Sequence, residues 1–295
     1  MIKIAIFSLG EKGYSAIIKL ANLPISISIE CIIGEDVDVT DDYSRKLRNF
    51  CELHKIKYYF RKEPLLSIEQ YDFFIAIGWR WMIRGLPFGK LIILHDSLLP
   101  KYRGFAPLVN ALLNKEKTIG VTALLGAEEY DKGNILMQYS FNVGYPTQIG
   151  IEMQRISNLY SRLAVDLVRG LANGSIDKKG KPQNECDSSY SLWRGEDDYR
   201  INWKDRAENI EHFINCLNAP YRGASSLLRG ELIRVLKVRT MNDVKIENRT
   251  AGKVIFIEKG FPVVVCGQGL LLLEEVVNEK GEPILPLASF RSKFC

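Results

Sequence analysis

The chain of 295 residues is longer than most single domains, and we expect one larger and one smaller domain. Its 46% hydrophobic and 25% charged content is that of a globular protein, and no apolar run reaches the roughly 18 residues of a membrane span, so we expect a cytoplasmic protein with no membrane partner. The net charge of +5 is spread over short basic runs, which argues against a nucleic-acid partner.

The first half of the chain alternates strand-like and helix-like segments. Residues 2–8 form an apolar run of strand length, and a glycine turn then leads into a short helix that Pro24 ends. The same order recurs, with strands predicted at 25–34, 57–60, 72–78 and 91–95 and helices at 41–55 and 106–116. Such alternation predicts an α/β fold, a Rossmann-like, mostly parallel sheet with helices on both faces.

The second half changes from helices to strands. Apolar residues recur every three or four positions from Ile149 to Leu171, which predicts a long helix that ends near Gly174. A polar stretch to about Ser189 is typical of a linker, and one more amphipathic helix follows before Pro220. The remainder is rich in strands and glycine turns, as in a small antiparallel barrel or sandwich. We therefore place a larger domain at 1–185 and a smaller β-rich domain at 186–295.

Two common kinds of site are not indicated. The turn after the first strand has only Gly10 and Gly13 where a dinucleotide site needs GxGxxG, and a tight strand-to-helix turn is a sufficient explanation. The six cysteines lack metal-ligand spacing, so we predict neither a metal site nor a disulfide framework.

A histidine and an aspartate are candidates for acid–base chemistry. His95 ends the apolar run at 91–95, and open α/β sheets bind ligands at the carboxyl ends of their strands. Asp131 follows another apolar run, so we expect it at the same edge. A carboxylate beside an imidazole fixes its tautomer and raises its basicity. A structural histidine would fit the same pattern, and the pair alone leaves both interpretations open.

The residues around this pair form a longer motif. The segment from His95 to Leu136, HDSLLPKYRGFAPLVNALLNKEKTIGVTALLGAEEYDKGNIL, resembles the signature of the 10-formyltetrahydrofolate-dependent formyltransferases. The resemblance continues at residues 197–224, similar to the start of the second domain in the longer members, and at 251–276, similar to their OB-like C-terminal barrel. It thus implies a formyltransferase catalytic domain followed by an OB-like domain.

The resemblance also implies a mechanism. An amine of the acceptor would attack the formyl carbon of the folate through a tetrahedral intermediate, without a metal. His95 would steer protons and polarise the formyl oxygen, and Asp131 would orient His95 and help to deprotonate the amine.

The third catalytic residue of the family is an asparagine, and this chain has Ile93 at that position. Isoleucine has no hydrogen-bond donor, and the loss of one oxyanion donor costs about 10²–10³ in rate. Slow or absent transfer, replacement of the donor by another group, and an altered site all remain open.

The two-domain organisation limits the classes of acceptor that we expect. The second domain argues against the short glycinamide ribonucleotide enzymes. Methionyl-tRNA formyltransferases have this layout but carry a basic insertion where residues 34–48 here are short and begin with acidic residues. Nucleotide-sugar N-formyltransferases are more similar, both at GWRW (78–81) and at SLWRGEDDYRINW (191–203). We expect formyl transfer to the amino group of a nucleotide-linked amino-deoxy sugar, with a dTDP-sugar favoured, as in lipopolysaccharide and other surface-polysaccharide synthesis.

The residues near these motifs are candidates for ligand contacts as well. We expect the folate to contact Trp79, Arg80, Met82, Glu128 and Tyr130. Tryptophans beside an arginine would wall a pterin and face its glutamate tail, although core packing is an alternative explanation. The positions for the acceptor are Ser97, Lys101, Arg103, Trp193 and Arg194. Arginine suits a pyrophosphate, whereas Ser97 would serve equally well as a turn cap.

Three other functions stay open. Methionyl-tRNA formyltransferase is the alternative within the same class. A hydrolase would pass the formyl group to water at the same site, and a binding protein would keep the fold but lose the chemistry through Ile93. Relatives of this type pair through the second domain, which implies a homodimer.

Overall fold

The computed structural model describes residues 1–36, 41–63 and 67–295. The chain forms two compact units. The N-terminal unit comprises Met1–Ala111, Glu116–Val143 and Met153–Leu192, and the C-terminal unit comprises Leu112–Lys115, Gly144–Glu152 and Trp193–Cys295. The predicted domain boundary between residues 185 and 186 stays a prediction. Part of the acidic segment at 34–48, residues 37–40, lies outside the described residues. None of the helices in the described ranges is both long and apolar enough to cross a membrane.

The N-terminal unit is built on a seven-stranded sheet. The strands of this unit are β1 (Ile2–Ser8), β2 (Ile27–Ile33), β3 (Lys57–Phe60), β4 (Phe73–Ile77), β5 (Leu91–His95), β6 (Arg103–Gly104), β7 (Thr118–Leu125), β8 (Ile135–Asn142) and β9 (Tyr190–Ser191). The order in the large sheet is β3-β2-β1-β4-β5-β7-β8, and the first five of these are parallel, whereas β7 and β8 are antiparallel to their neighbours. The predicted mostly parallel α/β sheet is confirmed.

The helices follow the predicted apolar periodicity. They are α1 (Gly10–Ala21), α2 (Ser44–Leu53), α3 (Pro107–Leu113), α4 (Ile149–Asn173) and α5 (Ala207–Leu217), with short 3₁₀ turns at Ile68–Gln70, Phe88–Lys90, Glu185–Asp187 and Glu196–Tyr199. Gly174 follows α4 with φ +74°, the left-handed conformation that commonly ends a helix and that glycine adopts without strain.

The central strands are buried on both faces, as their continuous apolar runs require. On one face, the side chains of alternate residues of β1, β4 and β5 form a single cluster, which includes Phe7, Ala76 and Leu91. Ile93 packs against this cluster from the same strand as His95. Because side chains two residues apart share a face of a strand, His95 projects from the face that carries Ile93.

The sheet order places a crevice near the end of β1. The chain runs outward from β1 to β3 and then returns to form β4 on the other side of β1, and such a reversal opens a ligand crevice at the carboxyl ends of the strands. Gly78, just after β4, has φ +65°, and a Cβ there would lie 2.5 Å from the carbonyl oxygen of Leu9. Glycine thus permits the loops after β1 and β4 to approach closely. His95 ends β5 at this same edge.

The C-terminal unit contains an antiparallel five-stranded sheet with the order β10-β11-β14-β13-β12. Its strands are β10 (Ala224–Leu228), β11 (Glu231–Met241), β12 (Val254–Glu258), β13 (Phe261–Val265) and β14 (Leu270–Asn278). Helix α5 packs on β11, with Ile210 and Ile214 buried. The predicted β-rich second domain is confirmed.

Candidate active site

His95 is held by its ring at the end of β5. The residue is 8% exposed. Its Nε2 lies 2.8 Å from the carbonyl oxygen of Tyr102, and because a carbonyl only accepts, this nitrogen carries the hydrogen. Its Nδ1 lies 3.6 Å from Asp131 Oδ1, longer than a hydrogen bond but within ion-pair range. The structure therefore brings the predicted His95 and Asp131 together, with Nδ1 as the nitrogen that faces the carboxylate.

Asp131 is fixed by its own loop. Its other carboxylate oxygen, Oδ2, accepts a hydrogen bond of 2.8 Å from the backbone N–H of Gly104. Its backbone is left-handed, with φ +58°, and its carbonyl accepts a 2.7 Å hydrogen bond from the Gln183 side chain. A Cβ on the nearby Gly133 would lie 1.8 Å from the carbonyl oxygen of Leu125, so only glycine fits there. The carboxylate is thus held in place before any ligand arrives.

The loop between β5 and β6 is tied down by buried polar groups. The hydroxyl of Ser97 donates to the carbonyl oxygen of Lys101 at 2.6 Å, which is the turn-capping role. The Arg103 side chain is fully buried and makes a 2.7 Å ion pair with Glu185 and a 2.8 Å hydrogen bond with Gln183. An acceptor contact by Ser97 or Arg103 stays a prediction, and it would require an exchange of these partners. The Lys101 side chain is exposed and open to an acceptor.

The predicted folate residues after β4 form an aromatic surface. The Trp79 ring packs edge-on against Phe7, with centroids 5.1 Å apart, and against Trp81, 5.0 Å apart. Its buried Nε1 has no hydrogen-bond partner among the described residues, so a donor is available to a ligand. Arg80 makes an ion pair with Asp36, and Met82 is 61% exposed. The contact of this aromatic surface with a pterin stays a prediction.

The predicted folate residues after β7 lie in and beside a cleft of about 500 Å³. Its lining is formed by Phe88, Gly89, Leu125, Gly126, Ala127, Glu128, Lys132, Gly133 and Asn134. Tyr130 is 51% exposed, and its ring centroid lies 6.4 Å from that of Phe105 and 6.2 Å from that of Tyr190. This exposed aromatic group next to Asp131 includes two residues, Phe105 and Tyr190, that the sequence analysis missed.

The last two predicted acceptor residues begin the C-terminal unit. Trp193 is 69% exposed, whereas the Arg194 guanidinium lies 5.8 Å from the Tyr199 ring centroid and donates to the carbonyl oxygen of Asp198. Their contact with a nucleotide stays a prediction.

No group of three or more His, Cys, Asp or Glu side chains within residues 1–36, 41–63 and 67–295 is arranged to hold a metal ion. All six cysteines are free.

The site has neighbours that the sequence analysis also missed. Asp96 forms an ion pair with Lys12 and accepts a hydrogen bond from the Tyr160 hydroxyl. A carboxylate directly after His95 was visible in the sequence, but its two partners lie far away along the chain.

Two family models match the chain. The model described as formyl transferase matches residues 82–166, which include His95 and Asp131, and the model of the formyl transferase C-terminal domain matches residues 195–293. Together they cover more than half of the chain.

Curated relatives and solved structures show further similarities. A methionyl-tRNA formyltransferase of Heliobacterium modesticaldum is 28% identical over 210 residues, which are 69% of this chain and 66% of that protein. HypX from Aquifex aeolicus in complex with tetrahydrofolic acid has a TM-score of 0.63 at 19% identity over 96% of this chain and 45% of HypX. The N-formyltransferase from Helicobacter canadensis in complex with folinic acid and dTDP-3-aminofucose has a TM-score of 0.64 at 17% identity over 92% of this chain and 99% of that one.

These similarities cover different fractions of the matched proteins and support different conclusions. The matched methionyl-tRNA formyltransferase is spanned for just under two thirds of its length and HypX for less than half. The structural likenesses, at under 25% identity, show the fold. The two family models, with the motif around His95, show that the chain belongs to the formyltransferase family.

Proposed function

We propose that the protein transfers a formyl group from 10-formyltetrahydrofolate to the amino group of a nucleotide-linked amino-deoxy sugar, with a dTDP-sugar as the favoured acceptor. The observation that carries the proposal is the pairing of His95 with Asp131, 3.6 Å apart, at the carboxyl edge of the sheet. The bound folate would supply the formyl carbon.

The residues divide the proton chemistry between them. Because Nε2–H of His95 is bonded to the Tyr102 carbonyl, Nδ1 is the ring nitrogen left to face the formyl oxygen, and it donates there only when the ring also carries a proton on Nδ1. The Asp131 carboxylate, fixed by Gly104, accepts a proton from the attacking amine. A new nitrogen–carbon bond forms, the bond from the formyl carbon to the folate nitrogen breaks, and that nitrogen takes up the proton.

The extent of the structural matches and the charge of one segment support a sugar acceptor. In the structural comparison the Helicobacter canadensis enzyme matches 92% of this chain with a TM-score of 0.64, and the methionyl-tRNA formyltransferase from Clostridium thermocellum matches 81% with a TM-score of 0.54. Asp41 and Asp42 stand in the segment where the tRNA enzymes carry a basic insertion, and carboxylates repel phosphates. Solved structures of this fold bind tetrahydrofolic acid or folinic acid, which supports the folate.

The direct test is formyl transfer to a panel of dTDP-, UDP- and GDP-linked amino sugars, with initiator methionyl-tRNA as the competing acceptor. We expect turnover with at least one sugar and none with tRNA. Turnover with tRNA alone would establish the alternative, and formate release without any acceptor would establish a hydrolase.

Ile93→Asn is measured alongside. An amide at this position would face the same way as His95 and add an oxyanion donor, so we expect kcat to rise by about tenfold or more. It would also remove apolar packing from the cluster on Phe7 and Ala76, so the melting temperature should fall. An unchanged kcat in a folded variant would mean that another group already supplies this donor.

A further inference from the structure

A buried polar network surrounds the residue that follows His95. Asp96 is an ion-pair partner of Lys12, from the first turn of α1, and the two side chains are only 15% and 17% exposed. The hydroxyl of Tyr160, on α4, donates to the same carboxylate. Three separate elements therefore converge on Asp96.

The network holds the strand on both sides of the histidine. The Tyr160 hydroxyl lies 2.9 Å from the carbonyl oxygen of Leu94, and its ring is 1% exposed. The Lys12 ammonium lies 5.4 Å from the centroid of that ring. Leu94 and Asp96, the two neighbours of His95, thus share the single hydroxyl hydrogen of one buried tyrosine, so the position of the His95 backbone depends on it.

The carboxylate at the centre is ionised. Burial alone would raise the pKa of Asp96, but the Lys12 charge, the hydrogen bonds from Lys12 and Tyr160, and the charge of His95 together lower it. Burial and the Asp96 charge raise the pKa of Tyr160, so this hydroxyl remains a donor. Lys12, Tyr160 and His95 are the charged and titratable groups around Asp96, and Asp131 is the further carboxylate beside the His95 ring.

We propose that Asp96 is a positioning residue for formyl transfer, which, with Lys12 and Tyr160, fixes the main chain around His95. This inference rests on the proposed function. Since Ile93 offers no donor, the oxyanion depends more heavily on the position of the His95 ring than it would beside an asparagine.

The test compares kcat and KM of the unaltered protein with those of Asp96→Asn and Tyr160→Phe. In Asp96→Asn we expect kcat to fall by about 10- to 100-fold with little change in KM. Tyr160→Phe removes the hydroxyl that contacts Leu94 and Asp96, so kcat should fall there too, again at nearly constant KM. An unchanged kcat in a folded Asp96→Asn, or a change in KM alone, would overturn the proposal.

A second measurement separates this proposal from the proposed function. Proton NMR at one fixed pH follows the His95 ring in the ligand-free protein, with its signals assigned by their loss in His95→Asn. The chemical shifts of these signals should change in Asp96→Asn and Tyr160→Phe, because the main chain that carries the ring is no longer held. Unchanged shifts in both variants would overturn the role of Asp96 whether or not any acceptor is turned over. A protein that transfers no formyl group, yet shows the changed shifts, would contradict only the proposed function.

Folding and specificity are controlled by two further variants. If Asp96→Asn does not fold with Lys12 left unpaired, Lys12→Met/Asp96→Asn removes both charges and should still lower kcat at constant KM; an unchanged kcat would overturn the proposal. Glu247→Gln breaks the exposed ion pair with Lys245 in the C-terminal unit and should change neither kcat nor KM.

Discussion

The loops that leave the neighbouring strands β4 and β5 are built in opposite ways. After β5, residues 96–104 are tied to the protein by buried groups, above all Asp96 and the fully buried Arg103. After β4, residues 78–90 present large side chains to solvent, with Met82 61% and Phe88 50% exposed. The first arrangement preorganises reacting groups, and the second leaves apolar surface for a ligand to cover. Under the proposed function, the loop after β5 would carry the reacting groups and the loop after β4 would bind the folate.

The largest expected effect comes from a substitution of His95, at the end of β5. His95→Asn should lower the rate of formyl transfer by about 10²–10⁴-fold, because the variant loses the proton-donating ring. The measurement is turnover with a saturating acceptor. The melting temperature of the variant, followed by circular dichroism, shows whether it folds. A folded variant with near-normal turnover would contradict the role of His95.

Substitution of Arg103, which anchors the loop after β5, should lower the stability of the protein. Arg103→Met keeps most of the buried volume but loses the bonds to Glu185 and Gln183, so the free energy of unfolding should fall by about 2 kcal/mol. The Glu185 carboxylate left behind is solvated, which keeps the cost below that of a stranded buried charge. Urea unfolding measures the change. Lys101→Met, at an exposed site in the same loop, is the matched control and should be nearly neutral.

A substitution in the loop after β4 should weaken binding of the folate. Trp79→Ala removes the aromatic wall and its free indole donor, so KM for 10-formyltetrahydrofolate should rise by about tenfold with kcat changed much less. Steady-state kinetics at varied folate separate the two parameters. A loss of kcat at constant KM would place Trp79 with the chemistry and remove the contrast between the loops.

The smallest effect is a pH dependence of stability. Because the pKa of Asp96 is lowered in the folded state, its contribution is present above the unfolded aspartate pKa of about 3.9 and is lost as the pH falls through the folded pKa. The unfolding free energies of the unaltered protein and Asp96→Asn should differ at pH 7 and converge in acid. A difference independent of pH would show that packing, not charge, is lost in the variant.

Local patterns in the sequence predicted much of this molecule. The run at 91–95 alone gave the bounds of β5 and placed His95 at a strand end. The apolar repeat from Ile149 gave α4, including its end before Gly174. These features depend on neighbouring residues, so periodicity reveals them.

The missed features all join distant parts of the chain. Strand β6 pairs with β9, and Asp96 bonds to a tyrosine 64 positions away. A two-residue strand is too short to show an alternating pattern. A single tyrosine in a long helix is most simply interpreted as a core residue. The motif around His95 identified the pair with Asp131, and its turn offered Ser97 as a cap, but nothing local to it indicated that Arg103 is occupied in holding the loop.

The paired indoles of Trp79 and Trp81 have an optical consequence. Their centroids are 5.0 Å apart, and the Arg61 guanidinium lies 4.3 Å from the Trp81 ring. Two of the four tryptophans of the chain therefore emit from one place, after β4. A pterin absorbs light where indoles fluoresce, so docking of the proposed folate would quench this emission. The protein thus carries its own label-free reporter for that ligand.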